Sequence, residues 1–270
     1  MVRHAGVLGR PIAHSLSPVL HRAAYAELGL DWTYEAIDCG VDTLAAVLDE
    51  RTDWAGFSAT MPLKEALLDV AAEVRPLAAE VGAANTLLPG AGGWIADNTD
   101  VPGIVAALTE HAVAPDSVTI LGAGGTALAA LAALRALGVD RCRVLVRDES
   151  RGGALLAGAA RLGVDVALGA LDRRSDALGA QLVVSTLPPG AADPLSVRVW
   201  SAEQAVLDVV YVPWPTPLAA AAAAAGATVV SGALMLLHQA AEQVRLMTGH
   251  DAPLDAMRAA LRAAAPDAGV

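Results

Sequence analysis

The chain carries, at residues 117–127, the stretch Ser117-Val118-Thr119-Ile120-Leu121-Gly122-Ala123-Gly124-Gly125-Thr126-Ala127. Its first five residues have the apolar pattern of a buried strand, and a helix pattern opens in the glycine-rich part. At such a turn the first glycine permits a tight bend, and the second lets the backbone approach a pyrophosphate at the helix N-terminus. A glycine-rich turn alone is a weak signal, so the stretch predicts either a dinucleotide cradle or an ordinary strand-to-helix turn.

Strand and helix patterns alternate on both sides of this stretch. Beyond residue 100 the helices are rich in Ala and Leu, which favours a mostly parallel sheet covered on both faces. Before residue 100, Ser17 is predicted to cap a helix that has Pro18 at its first position and runs to Leu28. The predicted strands are Gly6–Gly9, Thr33–Ile37, Gly56–Ala59, Thr86–Leu88, Gly93–Ile95, Ser117–Leu121, Arg143–Val146, Asp165–Leu168, Leu182–Ser185, Val206–Val210 and Thr228–Val230.

The residues after the strand that ends at Val146 bear on the choice of cofactor. Arg147 comes first, followed by Asp148 and then Arg151. Arginine at this place suits the 2′-phosphate of NADP, whereas aspartate suits the free 2′-hydroxyl of NAD. Because both residue types are present, these residues leave both cofactors open.

Two further stretches carry side chains suited to proton transfer. Lys64, the only lysine among the 270 residues, closes Ser58-Ala59-Thr60-Met61-Pro62-Leu63-Lys64. Asp100 closes Asp97-Asn98-Thr99-Asp100, just before a helix pattern that starts at Val101. Lys64 is either a solvated surface lysine or a general acid–base beside a carboxylate, and Asp100 is a helix cap, its partner, or both. With the glycine-rich turn, the pair suggests a dehydrogenase.

Other polar residues are weaker candidates. Ser15 lies just before the first helix and has no evident capping role, so it is a candidate for binding a polar substrate. Asn85 and Thr86 lie between a helix and a strand, where turn chemistry is the simpler explanation.

Composition excludes several classes of protein. A net charge of −11 argues against binding to nucleic acid or to anionic membranes. The two cysteines, Cys39 and Cys142, form neither a disulfide framework nor a metal-ligand spacing, so no metal is expected. The N-terminus leads into a strand pattern and not a signal sequence, which suggests a reduced, cytoplasmic protein. Residues 209–241 lack charged side chains, but their prolines and glycines favour a buried helix–strand–helix over a membrane span.

Seven stretches, in order along the whole chain, resemble those of the shikimate dehydrogenase family. They are Gly9 to Pro18 with His14-Ser15-Leu16-Ser17-Pro18, Thr60 to Lys64, Gly82-Ala83-Ala84-Asn85-Thr86, Asp97 to Asp100, Gly122 to Ala127, Asp208-Val209-Val210-Tyr211 with Thr216-Pro217-Leu218, and Gly232 to Gln239. Each stretch alone would be modest, whereas seven in the correct order are specific.

The resemblance implies a fold, a reaction and roles for residues. The expected reaction is the reversible reduction of 3-dehydroshikimate by NADPH to shikimate, in chorismate and aromatic amino acid biosynthesis. The expected fold is α/β, with a substrate domain at residues 1–100 plus 233–270, a Rossmann-like doubly wound NADP domain at 101–232, and a cleft between them. The implied catalytic pair is Lys64 and Asp100. The implied substrate-binding residues are Ser15, Ser17, Thr60, Asn85, Tyr211 and Gln239, and the implied cofactor-binding residues are Gly122 to Ala127, Arg147, Arg151, Val209 and Gly232.

One departure from the family leaves alternatives. The family's stretch that reads NADP usually runs Asn-Arg-Thr, and here it is Val146-Arg147-Asp148. NADP is the expected cofactor, with NAD open because of Asp148. An NAD-preferring quinate/shikimate dehydrogenase, an enzyme for aminated analogues, a folate-linked methylene dehydrogenase and a non-catalytic ligand sensor are the competing hypotheses. Retention of Lys64 and Asp100 opposes the sensor. A homodimer is a further expectation.

Overall fold

In the computed structural model, which describes residues 2–172 and 176–270, the chain divides into two compact units. The first unit comprises the residues up to Asp100 together with Leu236–Ala265. The second comprises Val101–Met235 and the C-terminal Pro266–Val270. Each unit has its own six-stranded sheet.

The first unit is built on a mixed sheet with the strand order β2-β1-β3-β5-β6-β4. The parallel pairs are β1 with β2, β1 with β3, and β4 with β6, while β5 runs antiparallel to β3 and β6. Its N-terminal elements are β1 (Arg3–Gly9), α1 (Ser17–Glu27), β2 (Trp32–Asp38), α2 (Leu44–Asp49), β3 (Gly56–Ala59), α3 (Ala66–Val70), β4 (Glu73–Val74), α4 (Pro76–Val81), β5 (Thr86–Gly90) and β6 (Gly93–Asp97). A buried cluster around Phe57, Leu63 and Leu67 forms part of its core.

The second unit is built on an all-parallel sheet with the order β12-β11-β10-β7-β8-β9. Strand order reverses between β7 and β10, and ligands of such sheets bind beyond the carboxyl ends of the strands at this switch point. Its elements are α5 (Asp100–Glu110), β7 (Val118–Leu121), α6 (Gly125–Ala136), β8 (Arg141–Val146), α7 (Gly153–Leu162), β9 (Asp165–Ala170), β10 (Leu182–Ser185), β11 (Ala205–Asp208), α8 (Pro217–Ala224), β12 (Thr228–Ser231) and the start of α9 (Gly232–Thr248). The rest of α9 and all of α10 (Leu254–Ala264) belong to the first unit.

The α/β class and the mostly parallel second sheet are confirmed. Residues 209–241 contain α8, β12 and the start of α9, which confirms the helix–strand–helix interpretation. Among the residues described, no helix is both long and apolar enough to span a bilayer.

The predicted cap of the first helix is wrong. Helix α1 begins at Ser17 and its N-cap position is Leu16, which supplies no capping side chain. Instead the Ser15 hydroxyl oxygen accepts a hydrogen bond from the Ser17 backbone N–H at 3.3 Å. The side chain that contacts the start of the helix is therefore that of Ser15, two residues before the predicted cap. Ser15 therefore satisfies one of the N–H donors that a helix start leaves unpaired.

Candidate active site

Lys64 is held by a tight turn that follows β3. The Thr60 N–H donates to the Leu8 carbonyl at 2.9 Å, and the Leu63 N–H donates to the Thr60 carbonyl at 2.9 Å. Leu63 is fully buried and anchors the turn in the core, whereas Met61 beside it is exposed. The Lys64 side chain stays 19% exposed, so its ammonium is held by the fold and still accessible.

Asp100 provides the carboxylate that pairs with this ammonium. Lys64 Nζ lies 2.5 Å from Asp100 Oδ2, and the Asp100 side chain is only 1% exposed. The other oxygen, Oδ1, accepts a hydrogen bond from Asn85 Nδ2 at 3.0 Å. Helix α5 begins at Asp100 itself, so the negative charge sits in the first turn, where the helix dipole favours it. Such a carboxylate can hold and orient an ammonium that donates a proton.

Backbone hydrogen bonds join the three chain segments that supply these side chains. The Ala84 N–H donates to the Lys64 carbonyl at 2.7 Å, and the Asn85 N–H donates to the Asp97 carbonyl at 3.0 Å. Asn98 Nδ2 donates to the Ala83 carbonyl at 2.8 Å. The relative positions of Lys64, Asn85 and Asp100 are therefore set by main-chain contacts and not by the side-chain pair alone.

The structure brings together four of the predicted site residues of the first unit. Gln239, on α9, accepts a hydrogen bond from Asn85 Nδ2 at 3.4 Å, which adds it to Lys64, Asn85 and Asp100. Thr60 opens the Lys64 turn, and its methyl carbon would lie 2.4 Å from a Cβ at Gly9, so that position requires glycine. Ser15 and Ser17 lie at the start of α1, and the bond between them is local.

In the second unit, the glycine-rich turn forms an open cradle between β7 and α6. Gly122 has φ +105°, a conformation that other residues rarely adopt, and a Cβ there would lie 2.6 Å from Thr186 Oγ1. Gly124 is the N-cap of α6, and a Cβ added to it would point into open space. A cavity of about 330 Å³ lies here, lined by Gly122, Ala123, Gly124, Val146, Arg147, Asp148 and Leu187. The backbone N–H groups of Gly125 and Thr126, at the start of α6, suit a pyrophosphate.

The residues expected to read the ribose lie at one side of this cavity. Arg147 is exposed at the end of β8. Asp148 is the N-cap of a short 3₁₀ turn, and its Oδ1 accepts hydrogen bonds from the Ser150 N–H at 3.0 Å and the Ser150 hydroxyl at 2.6 Å. Arg151 ends that turn, and its side chain lies outside the described part of the structure.

The remaining predicted residues of the second unit lie beyond β11. A Cβ at Gly232 would lie 2.1 Å from the Val209 carbonyl oxygen, so the two backbones touch and only glycine fits. Asp208, 1% exposed, accepts from Thr216 Oγ1 at 2.7 Å and from the Val210 N–H at 3.3 Å. Burial raises the pKa of the Asp208 carboxyl. Tyr211 belongs to this unit, and burial raises its pKa as well.

Sequence reasoning missed one residue that contacts the site. Gln243 is 1% exposed and donates from Nε2 to the Asn85 carbonyl at 3.3 Å and to Thr86 Oγ1 at 3.1 Å. It lies four residues after Gln239, and helical spacing puts both side chains on one face of α9. That spacing was the available signal. Within the described residues, no group of three or more His, Cys, Asp or Glu side chains is placed to hold a metal ion.

Comparison with known proteins finds two matching family models and many full-length relatives. The model described as "Shikimate dehydrogenase substrate binding domain" matches residues 7–87, and "Shikimate 5'-dehydrogenase C-terminal domain" matches residues 232–262. The chain is 38% identical over 264 residues to shikimate dehydrogenase (NADP(+)) of Haloarcula marismortui, covering 95% of this chain and 97% of that protein.

Solved structures agree with this similarity. Shikimate dehydrogenase of Mycobacterium tuberculosis is 45% identical, with a TM-score of 0.88 over 97% of this chain and 99% of that one. Shikimate 5-dehydrogenase of Thermus thermophilus, in complex with NADP(H) and shikimate, is 36% identical. Its TM-score is 0.83 over 97% of this chain and 99% of that one.

Proposed function

We propose that this chain, which belongs to the shikimate dehydrogenase family, catalyses the reversible NADPH-dependent reduction of 3-dehydroshikimate to shikimate in chorismate and aromatic amino acid biosynthesis. The observation that carries the proposal is the ion pair between the half-buried ammonium of Lys64 and the buried carboxylate of Asp100. Reduction of a carbonyl requires a proton for the developing alkoxide, and this pair is suited to supply it.

In the proposed mechanism, Lys64 acts on the oxygen of the C3 carbonyl. Its ammonium stabilises the negative charge that develops there and donates the proton that completes the hydroxyl. Asp100 orients Lys64 and accepts a hydrogen bond from the same hydroxyl. NADPH, when bound, supplies the hydride that adds to C3. In the reverse direction Lys64, as the neutral amine, accepts the hydroxyl proton.

We propose that polar side chains bind the rest of the substrate. Shikimate carries several hydroxyls and one carboxylate, which suit uncharged donors and acceptors. The residues assigned to this role are Ser15, Ser17, Thr60, Asn85, Tyr211 and Gln239. Asn85 supports the assignment most directly, because it bonds both Asp100 and Gln239.

The cofactor is proposed to bind in the second unit, at the glycine cradle. The open space in front of Gly124 and the N–H groups at the start of α6 suit its pyrophosphate. Arg147 and Arg151 are assigned to the 2′-phosphate, and Val209 and Gly232 to the nicotinamide. Asp148 is engaged with Ser150, which favours NADP because the carboxylate is already bonded within its own turn.

Domain roles and assembly follow from these assignments as proposals. Residues 1–100 plus 233–270 are proposed to form the substrate domain and 101–232 the NADP domain. The division of the described chain near Asp100 and Met235 supports this. We also propose a cytoplasmic location, which the two buried free thiols support, and a homodimer, which light scattering of the purified protein would test.

A spectrophotometric assay tests the function directly. Purified protein is mixed with shikimate or quinate and with NADP⁺ or NAD⁺, and nicotinamide reduction is followed. We expect the highest kcat/KM with shikimate and NADP⁺. A higher value with quinate and NAD⁺ would support the quinate/shikimate alternative, and no turnover with any pair would support a ligand sensor.

A further inference from the structure

A chain of buried hydrogen bonds runs behind the Lys64–Asp100 pair through the interior of the first unit. Its outermost member is Tyr34 on β2, whose hydroxyl lies 2.5 Å from Ser58 Oγ. Ser58 donates to Gln243 Oε1 at 2.8 Å, and Gln243 Nε2 donates to Thr86 Oγ1 at 3.1 Å. Thr86 donates to Asn85 Oδ1 at 3.0 Å, and Asn85 Nδ2 donates to Asp100. Each of these side chains has at most 3% of its surface exposed.

Hydrogen-bond chemistry fixes the direction of this chain. Ser58 has a single hydroxyl proton, and it is used on Gln243 Oε1, so Tyr34 must donate to Ser58. Gln243 must present its amide nitrogen to the Asn85 carbonyl and to Thr86, because a carbonyl can only accept.

The orientation of the Asn85 amide follows in the same way. Its Oδ1 accepts from the Thr99 N–H at 2.7 Å and from Thr86 Oγ1, which leaves Nδ2 to face Asp100. Every donor from Tyr34 onward therefore points toward the Asp100 carboxylate. Hydrogen bonds aligned in this way polarise one another in a medium of low dielectric constant.

The hydrogen-bond chain does not carry protons to solvent, because the residue at its far end is buried. Tyr34 is fully buried and stacks on His21, with ring centroids 3.9 Å apart. Burial raises the pKa of Tyr34 well above its usual value. His21 is also buried, and its Nδ1–H donates to the Ser17 carbonyl at 3.0 Å. The chain ends inside the core, so its role is to fix geometry.

We infer that Gln243 is a positioning residue for catalysis, acting through Asn85 on Asp100. It is the member through which α9 is bonded to β3, by way of Ser58, and to β5, by way of Thr86. Together with the Thr99 N–H, which donates to Asn85 Oδ1, it thereby helps to hold the Asn85 amide in the one orientation that donates to Asp100. The inference rests on the proposed function, since it assigns Gln243 to the same reaction.

The test compares Gln243→Leu with Val244→Ala. Leucine keeps most of the side-chain volume but makes no hydrogen bonds, and Val244 is a fully buried neighbour on α9 that controls for loss of stability. We expect kcat for shikimate oxidation to fall about 10- to 100-fold in Gln243→Leu, as small misplacements of a catalytic group can cause. Val244→Ala is expected to keep kcat within about twofold, since the catalytic geometry is left in place. Ser58→Ala removes the donor to Gln243 Oε1 and also the acceptor of the Tyr34 hydroxyl. It is expected to lie between them, and it carries the test if Gln243→Leu fails to fold.

A double-mutant cycle with Asn85→Ala identifies the route of the effect. If Gln243 acts through Asn85, Gln243→Leu lowers kcat little in the Asn85→Ala background. An equal fold-change in both backgrounds, or an unchanged kcat in a folded Gln243→Leu, would overturn the inference. The same cycle measured by denaturant unfolding needs no substrate. If the wild-type protein shows no turnover, only the proposed function is refuted. If the changes in unfolding free energy of Gln243→Leu and Asn85→Ala are additive, the positioning role is refuted.

Discussion

The two units of this protein build their candidate sites from different groups, although each has a six-stranded sheet. The first unit buries a set of bonded polar side chains behind its sheet, among them Ser58, Asn85 and Gln243. Around the glycine turn of the second unit the buried side chains are mostly alanine, leucine and valine, as in α6. The first unit therefore builds its candidate site from side chains. The second unit instead offers backbone N–H groups and the open cavity that its glycines leave. Substitutions should fail in different ways in the two.

The largest effect is expected at Lys64. Lys64→Ala should lower kcat by about 10²–10⁴-fold, the usual cost of losing a general acid, while the KM for shikimate changes much less. Steady-state kinetics measure both. Arg75→Ala is a matched control, because Arg75 also pairs with a carboxylate of this unit, Asp97, at 2.7 Å. Near-normal turnover in Lys64→Ala would remove the catalytic assignment.

Asp100→Asn should cost less, about 10²-fold in kcat, at the low end of the range for acid–base groups. Asparagine tolerates the start of a helix well, so the fold should persist. The negative partner of Lys64 is lost, which is the reason for the fall in rate. Turnover and Tm are measured together. A large fall in Tm with an unchanged kcat would reduce Asp100 to a structural role.

Cofactor choice probes the second unit. Arg147→Ala should erase the preference for NADP, because a charge-assisted contact is worth roughly 1.5–3 kcal/mol, or about one to two decades in affinity. Asp148→Thr should widen the preference for NADP, because threonine carries no negative charge and can still cap the turn. This change should be smaller than that of Arg147→Ala. The ratio of kcat/KM values for NADP and NAD is the measurement. Arg143 is an exposed arginine on β8, the strand that precedes Arg147, and Arg143→Ala should leave the ratio unchanged.

Acidification should lower the stability of the protein, because His21 is buried in the first unit. Burial lowers the pKa of His21 to about 4, whereas an unfolded histidine titrates near 6.5. Between these values the unfolded chain binds a proton that the folded chain does not, so stability is lost as pH falls from about 6.5 to 4, by up to roughly 3 kcal/mol. Denaturant unfolding at pH 7 and pH 5 should show a shallower loss for His21→Phe. Equal losses would assign the effect to other groups.

The smallest effects are expected at two glycines of the same turn, where one substitution should weaken cofactor binding and the other should lower stability. Gly124→Ala should raise the KM for NADP roughly tenfold with little change in Tm, because its Cβ enters the open cradle and weakens about one hydrogen bond. Gly122→Ala should instead lower stability by about 1–3 kcal/mol, since its φ is +105° and its Cβ meets Thr186. If both changes affected only stability, the cradle would be an ordinary strand-to-helix turn.

The sequence was most informative where the pattern is local. The parallel strands from Val118 to Ser231 and the glycine turn followed from alternation and residue type. The antiparallel course of β5 did not, because strand direction depends on tertiary pairing, and the two-residue edge strand Glu73–Val74 is too short for a pattern. Gln243 was missed for a related reason: the four-residue spacing from Gln239 is a signal in the sequence, but it assigns no role until the partners of Gln243 on β3 and β5 are known.

Because lysine occurs once in the chain, the ammonium that pairs with Asp100 is also a unique spectroscopic position. Protein produced with lysine isotopically labelled at Nζ would give a single side-chain resonance that needs no assignment. That resonance would show directly how many protons the nitrogen of the proposed donor carries as ligand or pH is varied. The scarcity of one amino acid thus turns an ordinary labelling scheme into an observation of a single atom.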